Sequence, residues 1–75
     1  MIISLAEMRR EQSGMVVEIN IGHGKARQLM AMGIRPGVVV TKRSAQPLRG
    51  PVTVQIGGTE LALSFGIARR IMVRV

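Results

Sequence analysis

Apolar and polar side chains alternate from Met15 through Val17, Ile19 and Ile21, with Val16, Glu18 and Asn20 between them, which predicts a strand with one face in a core. Upstream, Ser4-Leu5-Ala6-Glu7 has the spacing of a capping box, in which the Ser hydroxyl and the Glu carboxylate each satisfy a free N–H, and predicts a short helix near Leu5 to Arg10 that Gly14 separates from the strand. Gly22-His23-Gly24 turns the chain into a helix over Lys25 to Met32, and Gly33 falls where a left-handed C-terminal cap belongs. Arg35 precedes a proline and is excluded from helix, so Pro36-Gly37 forms a tight turn. The β-branched run Val38 to Thr41 then opens a second strand that continues through Lys42 and Arg43, its two faces not distinguished by pattern.

Ala45 to Gly50 reads as a loop, after which Pro51 leads into a strand with Val52, Val54 and Ile56 on one face and Thr53 and Gln55 on the other. Gly57-Gly58 is a two-residue hairpin turn into a fourth strand carrying Leu61 and Leu63 on its inner face. Phe65 to Arg69 has room for one helical turn, and Ile71, Val73 and Val75 close the chain as a fifth strand. Short strands joined mainly as hairpins are expected to curl into a small barrel, because closure removes edges that would otherwise pair with other chains. The expected fold is mainly β, with short inserted helices.

At 75 residues the chain has length for one domain, 1–75, and one core. Its hydrophobic fraction of 47% argues for a packed domain over a basic disordered tail. The absence of cysteine excludes disulfides, zinc ribbons and thiol chemistry, and fits a reducing compartment. No apolar run approaches the roughly 20 residues of a membrane-spanning helix, and the N-terminus lacks a positive region and meets Glu7 early, so the expected location is cytoplasmic.

One histidine, four Glu, no Asp and no Cys leave little material for a poised acid, base or nucleophile, and the expectation is a protein that is not an enzyme. Gly22-His23-Gly24 fits neither a dinucleotide fingerprint nor a P-loop, since Arg27, Ile19 and Ala26 stand where those motifs need Gly, Gly and Ser or Thr. His23 is the one candidate ligand for Fe(II) or another divalent ion, with Glu18 and Glu60 as conceivable companions, and it lacks the second imidazole a tight site would need. A net charge of +7 makes nucleic acid a rival partner through counterion release, but a barrel that binds single strands usually adds stacking aromatics and Phe65 is alone. On the predicted helix Met30 and Met32 point in nearly opposite directions. One shallow core cannot cover both, so the segment carrying Leu5 and Met8 is expected to pack over the second face; the alternative is an adaptable methionine surface open to a partner.

The run Ala26-Arg27-Gln28-Leu29-Met30-Ala31-Met32-Gly33-Ile34-Arg35-Pro36-Gly37 resembles the signature of the FeoA family, small cytosolic proteins of the bacterial and archaeal Feo ferrous-iron uptake system. Gly14 ahead of an alternating strand, Gly50-Pro51-Val52-Thr53-Val54, Leu61-Ala62-Leu63 and Ala68-Arg69-Arg70-Ile71-Met72-Val73 follow the family pattern in order, so the resemblance spans nearly the whole chain. It departs at Ser64 and Ile67, where the family often has Arg and an acid, so no ion pair is implied there. The resemblance implies an SH3-like β-barrel and a noncatalytic accessory role in ferrous iron uptake, through contact with an FeoB-type membrane transporter bearing a cytosolic GTPase domain. No cofactor is required in that role, with weak divalent-metal binding a secondary implication. Arg27, Leu29, Met30, Met32 and Arg35 are the expected contact surface, apolar anchors with a cationic rim. The alternatives are a basic nucleic-acid-binding barrel and a metal-responsive SH3-like domain related to repressors of the DtxR type.

Overall fold

The computed structural model of the chain describes residues 1–75. Six strands form one sheet: β1 (Ile2–Ser4), β2 (Ser13–Ile19), β3 (Val39–Ala45), β4 (Val52–Ile56), β5 (Thr59–Leu63) and β6 (Ile71–Arg74), in the spatial order β1-β6-β2-β3-β4-β5. Every neighbouring pair is antiparallel. Two helices interrupt it, α1 (His23–Ala31) between β2 and β3 and α2 (Phe65–Ala68) between β5 and β6. No helix is long and apolar enough to cross a membrane.

The glycines set the turns. Gly57, at φ 57°, serves the two-residue connection in which Ile56 faces Thr59, fixing the β4–β5 register. Gly33, at φ 100°, ends α1: its N–H donates to the Met30 carbonyl at 3.0 Å and the Ile34 N–H to the Leu29 carbonyl at 2.9 Å, the paired bonds of a Schellman motif. Leu29 and Ile34, 3% and 0% exposed, supply the apolar contact of that motif and join the core. Nothing lies within 4 Å of a Cβ built on Gly33, so the cost of a side chain there is backbone strain alone. Gly33→Ala is expected to lose about 1–2 kcal/mol, read by urea denaturation; an unchanged midpoint would contradict this account of the cap.

Two bulges bend the sheet. Val16 opposes Val73 and Glu18 opposes Met72, leaving Val17 as the extra residue of β2; on β3 the pairing passes from Lys42–Val54 to Ser44–Thr53 across Arg43. The first bulge corrects the expected face of β2. A bulge breaks the period of two, so Gly14 and Val16 point inward before it while Ile19 packs on the core after it, and Met15 is outside at 42% exposure.

β1 is a sixth strand beyond the five expected, held by pairing of Ile2, Ile3 and Ser4 with Arg74, Val73 and Met72. The capping box forms as expected, with the Ser4 N–H donating to Glu7 Oε1 at 2.8 Å and the Glu7 N–H to Ser4 Oγ at 3.3 Å. It starts only one 3-10 turn, Leu5–Glu7, in place of a helix to Arg10. The reason is tertiary: buried Lys42 on β3 reaches across, its Nζ donating to the carbonyls of Ala6 at 2.8 Å and Met8 at 2.7 Å. The Ala6 carbonyl is the acceptor that the Arg10 N–H would need for the helix to continue. β1 and β5, the two ends of the sheet order, do not pair with each other, and α2 packs against the 3-10 turn. The core is aliphatic, built on Leu5, Val16, Ile34, Val40, Val52, Val54, Ile71 and Val73.

Candidate partner-binding surface

α1 is tied to the rest of the chain through one buried side chain, Leu29. Its Gly22 N-cap contributes no side-chain bond, and its C-terminus is locked by the Schellman motif. With a single anchor, both methionine faces stay open: Met30 and Met32 are each 43% exposed. The segment that was to cover the second face spends its apolar residues elsewhere, since Leu5 and Met8 are both in the core. Arg27 and Arg35 are exposed beside them in sequence, and neither is ion-paired, the one salt bridge in the chain being Arg43–Glu11 at 3.3 Å. Of the five expected contact residues Leu29 is buried, at 3% exposure, whereas Arg27, Met30, Met32 and Arg35 are exposed.

A second exposed apolar row was hidden from the sequence by the bulge in β2. Ile2 opposes Arg74, Arg74 opposes Met15 and Met15 opposes Val39, so these four share the outer face of four neighbouring strands. Ile2 and Val39 are 51% and 55% exposed. The next outer row is polar, Ser13–Thr41–Gln55, with a 2.7 Å hydrogen bond between the Ser13 and Thr41 hydroxyls.

His23 opens α1 in solvent, and no group of three His, Cys, Asp or Glu side chains lies close enough together to hold a metal ion. Glu18 on β2 and Glu60 on β5 do not gather around the imidazole. The donor set does not fit a resident metal.

The chain matches the FeoA domain model over residues 3–75. Comparison with curated proteins finds no match. Among solved structures it is similar to the crystal structure of an iron uptake regulatory protein, FeoA, at 36% identity, with a TM-score of 0.90 over 99% of this chain and 97% of that one. The FeoA of Stenotrophomonas maltophilia, solved with zinc and described as a prokaryotic SH3 domain protein and a candidate activating factor for bacterial ferrous iron transport, is 29% identical, with a TM-score of 0.80 over 95% of this chain and 88% of that one. A manganese-dependent transcriptional repressor, 20% identical with a TM-score of 0.88 over 97% of this chain and 41% of its own, shares the fold alone.

Proposed function

The chain belongs to the FeoA domain family, and from that premise we propose that it is a noncatalytic accessory of ferrous iron uptake, docking on the cytosolic GTPase region of an FeoB-type membrane transporter. The observation that carries the reading is the open end of α1. Two half-exposed methionines sit on a helix terminus that the Leu29–Ile34 cap holds rigid, with two unpaired arginines alongside. Methionine and arginine are enriched where proteins meet, because one adapts its shape at low cost and the other supplies directional charge. A net charge of +7 steers such a surface toward an acidic partner. Ferrous iron is the transporter's cargo in this reading, not a resident cofactor of this chain.

Nucleic-acid binding is less well supported, since the single aromatic ring lies under the Arg49 guanidinium, 5.7 Å from its centroid, and the sheet offers no platform for stacked bases. The test is retention of the soluble GTPase region on immobilised chain, with and without guanine nucleotide. Retention in at least one nucleotide state is expected. No retention in either, combined with a salt-sensitive gel shift on single-stranded oligonucleotides, would transfer the function to nucleic acid.

A further inference from the structure

A half-open cleft of about 370 Å³ is lined by Ser4, Ala6, Glu7, Arg49, Phe65 and Arg69. Three separate segments build it: the end of β1 with its 3-10 turn, the loop between β3 and β4, and α2 with its C-cap Arg69. Phe65 is the only aromatic residue, and it is kept out of the aliphatic core to form one wall, half-buried beneath the Arg49 guanidinium. The loop that delivers Arg49 is wound in an uncommon way. Leu48 and Arg49 are consecutive non-glycine residues at φ 59° and 60°, and Leu48 is 99% exposed at its tip. Backbone strain of this kind persists where the surrounding structure over-determines it, and it concentrates at ligand clamps. Here Gln46 donates to the Pro51 carbonyl at 3.1 Å and Gly50 to the Pro47 carbonyl at 3.3 Å, closing the loop on itself.

We propose that this cleft binds the side-chain carboxylate of an acidic peptide segment. The Arg49 guanidinium lies over the Phe65 ring, 5.7 Å from its centroid, in a cation–π contact and makes no ion pair, so its N–H donors are free to grip a carboxylate through two parallel bonds. Arg69 supplies the second cation, and neither arginine is ion-paired. Glu7 lines the same cleft but is committed to the capping box through Oε1. One positive charge is thus left uncompensated, which suits a single carboxylate and disfavours a phosphate dianion that would also face Glu7. Ala6 and the Phe65 ring offer apolar surface to the methylene stem of the acid. The cleft uses none of the α1 residues, so its test is independent of the docking surface described above.

The experiment is an NMR titration of the full chain with acetyl-Asp-Glu-Leu-Glu-amide, following the Phe65 ring and the arginine Hε resonances, beside the neutral analogue acetyl-Asn-Gln-Leu-Gln-amide and inorganic phosphate. Saturable shifts at Phe65, Arg49 and Arg69 are expected with the acidic peptide only. Arg49→Gln and Arg69→Gln, both exposed and harmless to the core, are each expected to weaken binding at least tenfold, while Arg74→Gln on the outer face leaves it unchanged. Equal response to the neutral peptide, equal affinity for phosphate, or binding that survives both cleft substitutions would overturn the assignment.

Discussion

Ile34→Ala is expected to remove about 3 kcal/mol of folding stability, within the range for large-to-small changes in a core that cannot collapse around the gap. Ile34 is fully buried and follows immediately on the left-handed Gly33. Its backbone N–H satisfies the Leu29 carbonyl while its side chain packs in the same cluster as Leu29, so one residue both terminates α1 and fastens it to the sheet. A domain of this size has only about 4–11 kcal/mol in total by the usual per-residue scale, so the loss is a large share of it. Urea denaturation at constant m-value reads the change. A loss under about 1 kcal/mol would mean that the end of α1 is loosely held, and the rigid presentation of Met30 and Met32 would fail with it.

Lys42→Met is expected to cost about 2 kcal/mol at neutral pH, because it keeps most of the stem but leaves the Ala6 and Met8 carbonyls without their donor. The pH dependence separates this from a packing defect. Burial holds the Lys42 ammonium below the usual lysine range, by desolvation and with no acid to offset it. In the window between that lowered value and the ordinary one, the unfolded chain binds more protons at this position than the folded chain does, so stability rises with pH. Below the window both states are charged and the burial cost is present in full; above it both are neutral and the cost has gone. The chain has no tyrosine or cysteine and only one other lysine, Lys25, so few groups compete on that alkaline limb. Wild type is expected to gain stability there and the Lys42→Met variant to lose that gain. Parallel profiles for the two proteins would contradict the assignment.

Local chemistry made much of this fold readable. Gly33, Gly37 and Gly57 announced their turns because each needs a positive φ, and β4, β5 and β6 keep an unbroken period of two. β2 misled because a bulge has no reliable mark in a run such as Met15-Val16-Val17, where every residue is apolar. β1 escaped notice because three residues carry no period and its order comes from β6, more than sixty residues away in sequence. The inward turn of Lys42 ran against the strong preference of lysine for solvent, and only the nearby carbonyls of Ala6 and Met8 account for it. Among the expected contact residues, helical spacing placed Met30 and Met32 on different faces but could not tell that Leu29 alone would be buried. The Arg49–Phe65–Arg69 cleft was beyond reach for a related reason, since it exists only once three distant segments meet.

Met30 and Met32 are the centre of the proposed docking surface. Isothermal titration of the soluble GTPase region of the FeoB-type transporter into wild-type chain and into the Met30→Asp/Met32→Asp variant measures that directly. Both side chains are half-exposed, so the variant is expected to stay folded, its urea midpoint lowered only by the two acids at the C-terminus of α1, while binding at least tenfold more weakly, a difference of about 1.4 kcal/mol. Equal affinity of the two proteins would contradict the account.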